Sequence, residues 1–266
     1  MEYNLKCQNL SLTEVLKKVN PYDVIYLDDK TYQEKITITT PNLTLIGSKN
    51  TKIIYAASNG TIIPAHLGGD GVKNFGTTGS ATVIVKESAK GFKAIGITFE
   101  NSFDRLGKKN GQAVAFKSEC SDLYLKDCSF VSYQDTLYID YGINNTVEDC
   151  FICGDVDFIF GSADCLFKNC QIKALAGKGP EAYFTAPSTF SSNKNGFIFD
   201  GCIFSKEDIK AYLGRPWFPS IVKDKIYPRI KFMNCVIPKD VTLALKQMHD
   251  GDPTEYSFII ENCKLI

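Results

Sequence analysis

Six short segments of this 266-residue chain carry one pattern: apolar, any residue, Asp/Asn/Gly, Cys, any residue, apolar. They start at Leu125, Val147, Phe167, Phe199, Phe232 and Ile260, and their cysteines are Cys128, Cys150, Cys170, Cys202, Cys235 and Cys263. Cys128 and Cys150 lie 22 residues apart, as do Gln112 and Gln134, and Asp135 and Asp157. Self-similarity at such a period marks a solenoid of stacked coils, in which neighbouring strands lie about 4.8 Å apart. Residues one coil apart in sequence then become neighbours in space.

An earlier copy, Ala94-Ile95-Gly96-Ile97-Thr98-Phe99, has Ile97 where the others have cysteine. A cysteine that exchanges with isoleucine behaves as a small hydrophobe in a core, so the ladder is expected to hold free thiols pointing inward. Cys150 and Cys153 also spell Cys-x-x-Cys, but no second pair follows at zinc-site spacing, which favours a structural reading. Short β-type runs such as Val24-Ile25-Tyr26-Leu27 and Leu43-Thr44-Leu45-Ile46 are broken by turn residues with no helices between them. The expected fold is an all-β, right-handed parallel β-helix forming one domain over residues 1–266, its hand set by the crossover rule.

Before the first strands, Leu10-Ser11-Leu12-Thr13-Glu14-Val15 reads as a helix start, with Ser11 and Glu14 as a capping box and Leu10 with Val15 as a staple. A short amphipathic helix there is placed to cover the open end of the core. Residues 56–79, rich in glycine and holding His66, are expected to project as a loop bordering a groove. The longer intervals after Cys170, from Lys173 to Tyr183 and from Ser205 to Tyr212, are expected to wall the same groove.

The 30 Lys and Arg balance the 30 Asp and Glu, so no basic field points to nucleic acid or anionic lipid. No apolar run reaches the length of a membrane span, and the first seven residues lack the apolar stretch of a secretory signal. On that ground the chain as given is expected in the cytoplasm.

Asp135 and Asp157, one period apart, are the chemically telling pair. Two adjoining carboxylates do not both ionise easily, so the pair is expected to share a proton, giving one acid and one anion. Against this stands the plainer reading that both are turn residues on the stack's surface, and that Gln112 and Gln134 are an amide ladder satisfying itself. A Ser-His-Asp arrangement is disfavoured, because His66 and His249 are the only histidines and neither accompanies a nucleophile-elbow motif. Gln134 and Asp135 are adjacent and would point to opposite faces of a regular strand, so an irregularity is expected there.

Four blocks, Gln112-Ala113-Val114-Ala115, Tyr133-Gln134-Asp135-Thr136-Leu137-Tyr138, Val156-Asp157-Phe158-Ile159-Phe160-Gly161 and Leu213-Gly214-Arg215-Pro216-Trp217, closely resemble, in the same order, the signature blocks of pectin methylesterases. The resemblance runs from about Leu12 to past Trp217 and implies hydrolysis of the C6 methyl esters of polygalacturonate. It implies that Asp157 is the nucleophile, and that Asp135 is the acid that protonates methanol and then the base that activates water. It further implies that Gln112, assisted by Gln134, donates to the oxyanion and that Arg215 holds Asp157 ionised. Trp217 offers a face to a sugar ring, with Phe158 and Tyr138 as further candidates, and Thr77 best matches a substrate-touching threonine.

The resemblance also implies methyl-esterified homogalacturonan as the partner, a monomer, no metal or organic cofactor, and export if a signal has been removed. The sequence departs from common family patterns at Gly111, where a basic residue or histidine often precedes the glutamine, and at Asp155, which adds a carboxylate near Asp157. Alternatives are a relative acting on another ester or a thioester, and a carbohydrate-binding β-helix without activity; a pectate lyase is disfavoured because no block matches that family.

Overall fold

A computed structural model describes residues 1–4, 11–107, 111–219, 225–250 and 252–266. Among them the strands form three sheets of ten, nine and eight strands, and every pairing between successive coils is parallel. One coil shows the route. The chain passes through Tyr124–Lys126 in the ten-stranded sheet, Ser129–Val131 in the nine-stranded sheet and Leu137–Ile139 in the eight-stranded sheet. It then re-enters the first sheet at Asn145–Glu148, whose Val147 lies beside Leu125. Repeated, this winding is the right-handed parallel β-helix that the repeat implied.

The residue before each ladder cysteine turns the corner between the first two sheets. Asp127, Asp149, Asn169, Asn234 and Asn262 all have φ between 51° and 54°, and Gly96 and Gly201 take the glycine version of the same left-handed corner. Asp, Asn and Gly are the residues that enter this region at least cost, which is why the pattern admits only them. The corner amides stay in the ladder: Asp127 N–H donates to Glu148 O at 3.1 Å and Asp149 N–H to Lys168 O at 3.0 Å.

The turn delivers the next side chain inward. Cys128, Cys150, Cys170, Cys202 and Cys235 are buried free thiols, Cys263 at the last coil is half-buried, and Ile97 fills the same place in the earlier coil. Cys7 lies outside the described residues. Phenylalanines stack along the core at one register position, with Phe167 and Phe199 at 4.5 Å and Phe199 and Phe232 at 5.1 Å between ring centroids.

The helix Leu12–Leu16 begins at Ser11 with the expected capping box to Glu14. Glu34 adds acceptors for the Leu12 and Thr13 amides, each at 2.8 Å. Leu12 and Val15 are buried in the main core, and the helix packs on Ile36–Ile38, the end strand of the eight-stranded sheet, so it closes that end of the core. Leu10, the expected staple partner, lies outside the described residues.

Candidate active site

Two adjoining strands of the eight-stranded sheet, Leu137–Ile139 and Ile159–Gly161, are entered through left-handed residues that carry functional groups. Asp135 has φ 66° and Asp157 φ 52°, each two residues before a strand, and Leu137 is registered with Ile159. The two aspartates therefore occupy one position on successive coils, and Asp135 N–H donates to Val156 O at 3.1 Å. Asp135 sits in a turn, which is the irregularity expected between it and Gln134. Both residues line the same cavity.

Gln112 arrives by another device. Phe116 is registered with Leu137, yet Gln112 stands four residues before its strand and Gln134 three before its own. The extra residue is absorbed where Ala115 N–H and Phe116 N–H both donate to Thr136 O, at 2.8 and 3.3 Å, as in a β-bulge. Gly111, just before, lies against the loop that follows the strand Lys52–Tyr55: a Cβ there would meet Ser58 Cβ at 3.0 Å and Asn59 Oδ1 at 3.1 Å. A larger residue at this position would have to displace that loop by a few tenths of an ångström.

Arg215 follows the strand Lys210–Gly214, whose register with the next strand shifts between Tyr212 and Gly214. A Cβ on Gly214 would stand 2.2 Å from Thr185 Oγ1, so only glycine permits this approach. The Arg215 fork donates from Nε to Asp157 Oδ1 and from Nη2 to Asp157 Oδ2, both at 2.7 Å. Its guanidinium lies 4.4 Å from the centre of the Tyr183 ring. Trp217 is then held by its backbone N–H donating to Pro187 O at 2.9 Å.

The cavity holds about 550 Å³, and Gln112, Gln134, Asp135, Asp157, Arg215, Trp217, Tyr138 and Thr77 all line it. Burial raises the pKa of both aspartates, and the difference between them lies in their partners. For Asp135 the neighbouring Asp157 charge adds to burial and pushes the carboxyl well above its usual range. For Asp157 burial also acts upward, but the hydrogen bonds and charge of Arg215 pull the other way. At such a pair the shared proton belongs on Asp135 and the charge on Asp157.

Phe158 does not line the cavity: it is fully buried in the main core, with its ring 5.5 Å from that of Phe184. The left-handed turn at Asp157 sends Phe158 and Ile159 inward and leaves Phe160 on the outer face. Phe160 stacks on Tyr138 at 4.1 Å, and both meet Trp217 edge-on, at 5.8 and 6.3 Å, to make an aromatic floor. Residues two apart in an unbroken strand share a face, so it is the left-handed break at Asp157, ahead of the strand Ile159–Gly161, that separates Phe160 from Phe158.

The loop expected to border the groove does so through Phe75, Gly76, Thr77 and Thr78, while His66 stands exposed elsewhere. Neither insertion, 173–183 or 205–212, contributes a lining residue. The first instead covers a buried group, since a Cβ on Gly177 would meet Asp155 Oδ2 at 1.9 Å. Asp155 is ion-paired with Arg105, whose Nε donates to Asp155 Oδ2 at 2.8 Å and whose Nη1 donates to Gln134 Oε1 at 2.6 Å. Sequence reasoning passed over Arg105 and Met248 and set His249 aside with His66; Met248 and His249 line the cavity from the segment after the strand Val241–Leu245. No local motif marks any of the three.

A parallel β-helix whose groove gathers an arginine-clasped carboxylate, a second carboxylate, two amides and an aromatic floor defines a structural class. Within it, the chain belongs to the pectinesterase family, whose model matches residues 4–252. It is 38% identical over 221 residues to pectinesterase A of Dickeya chrysanthemi, covering 74% of this chain but 58% of that protein's length. It is 35% identical over 232 residues to probable pectinesterase 56 of Arabidopsis thaliana, covering 82% of this chain and 72% of that one. Among solved structures, the pectin methylesterase from Erwinia chrysanthemi superposes with a TM-score of 0.82 at 28% identity, over 99% of this chain and 88% of that one. A mutant pectin methylesterase solved in complex with a hexasaccharide gives 0.78 at 31% identity, over 88% of this chain and 76% of that one.

Proposed function

We propose that this chain hydrolyses the C6 methyl esters of polygalacturonate, releasing methanol. The observation that carries the reading is the unequal carboxylate pair: Asp157 clasped twice by Arg215, and Asp135 on the adjoining coil pushed toward its protonated form. Family membership and the hexasaccharide complex of a related pectin methylesterase support the substrate class.

The ionised Asp157 attacks the ester carbonyl carbon, and the carbonyl oxygen takes up negative charge. Gln112 and Gln134, which line the same cavity, donate amide N–H groups to it. The tetrahedral centre collapses as the C–O bond to the methoxy group breaks, Asp135 gives its proton to the departing oxygen, and methanol leaves an acyl-enzyme anhydride on Asp157. Asp135, now an anion, removes a proton from water. The hydroxide formed attacks the acyl carbon, frees galacturonate and returns Asp157 as a carboxylate. Trp217, Tyr138 and Phe160 offer ring faces to the sugars, and Thr77 a hydroxyl at the wall.

Purified protein incubated with methylated polygalacturonate should release methanol in step with new carboxylate. Release confined to an acetyl ester or a thioester, or binding to polygalacturonate with no methanol, would replace this reading by one of its alternatives.

A further inference from the structure

We propose that Arg105, anchored by Asp155, is a positioning residue that turns the amide donor of Gln134 toward the cavity. Arginine has donors only, so the Gln134 atom that Arg105 Nη1 meets at 2.6 Å must be the amide oxygen. The NH₂ group of that planar amide is thereby left as the end free to serve the cavity that Gln134 lines. With the amide turned over, a carbonyl oxygen would face the developing oxyanion and oppose it.

The lock is itself fixed. Arg105 and Asp155 are 4% and 1% exposed, so neither exchanges its partner for water at little cost. Asp155 Oδ1 accepts from Val156 N–H at 2.6 Å, the Asp155 N–H donates to Tyr133 O at 3.0 Å, and Gly177 seals the carboxylate from outside. The pair therefore ties together the residues just before Asp135 and just before Asp157. Arg105 does not line the cavity, so the contact by which it reaches the cavity wall is the one to Gln134. The Arg105 charge draws the pKa of both Asp135 and Asp157 downward and Asp155 draws both upward, so the two act in opposite directions behind the site, and Arg105→Lys leaves that opposition in place.

This proposal rests on the ester-hydrolase reading. Arg105→Lys keeps a cation against Asp155, but a single ammonium does not reproduce the fork that reaches Asp155 and Gln134 together. Methanol release by this variant should show kcat lowered about ten- to a hundredfold with KM unchanged, because an oxyanion donor acts only in the transition state. Arg105→Lys combined with Gln134→Ala should be no slower than Gln134→Ala alone. A purely structural role for Arg105 would not give that equality. Arg105→Gln combined with Asp155→Asn, which removes both buried charges together, stands in should the lysine variant not fold. With an active wild type, an unchanged kcat or two losses that multiply would overturn this proposal alone. A wild type that releases no methanol would remove the esterase reading and this proposal with it.

Discussion

Replacing Arg215 by lysine keeps positive charge beside Asp157 and removes half of the clasp. Two hydrogen bonds of 2.7 Å become one, and a charge-assisted bond contributes about 1.5–3 kcal/mol. Loss of the guanidinium from the Tyr183 ring, now at 4.4 Å, removes about 0.5–1 kcal/mol more. The Arg215 side chain is 21% exposed, so water recovers part of this. A net loss of about 2 kcal/mol corresponds to roughly a thirtyfold fall in kcat/KM. The direction of the pH effect follows from the same contacts: Arg215 draws Asp157 down, so weakening it lets Asp157 rise. The acidic limb of kcat/KM, where the nucleophile ionises, should then move to higher pH. Steady-state methanol release across pH measures both effects. A variant within threefold of wild type, with its acidic limb unmoved, would refute the assignment of Arg215 as the group that holds Asp157 charged.

Three further outcomes follow from the same geometry. The native state keeps a proton on Asp135 that the unfolded chain gives up above about pH 4, so Asp135 costs stability increasingly as pH rises from there through its folded pKa. Asp135→Asn should therefore melt higher than wild type at pH 8, with the gap closing toward pH 4; equal melting temperatures at pH 8 would contradict this. Phe158→Ala should lose about 3–5 kcal/mol in denaturant unfolding, whereas Phe160→Ala should raise KM, and the reverse pattern would return Phe158 to the groove. Alkylation without reductant should leave the eight buried described thiols unlabelled in the native protein and label Cys263 slowly. After unfolding, all six ladder cysteines should be labelled, and consistent pairing in the mass spectra would defeat the free-thiol reading.

The winding was legible because its local chemistry repeats. A corner that needs a left-handed residue admits Asp, Asn or Gly, and the inward position after it admits Cys or Ile, so the coil is written into every copy. The site residues were legible where the same period applied, as for Asp135 and Asp157, or where a signature block carried Gln112, Gln134, Arg215 and Trp217. What escaped depends on contacts with no period. Arg105 reaches Gln134 and Asp155 from a loop some 30 to 50 residues earlier, a distance set by the solenoid's packing rather than by any repeat. Phe158 was misplaced because it follows Asp157 directly in a signature block, whereas the left-handed turn at Asp157 sends both Phe158 and Ile159 inward and leaves the outer face to Phe160.

The central claim is tested most directly by methanol release from Asp157→Ala and Asp135→Ala, each measured beside its binding to polygalacturonate. Both variants should bind the polymer much as wild type does and release no methanol above the uncatalysed rate. Substantial turnover by either one would show that the ester is cleaved without the carboxylate pair.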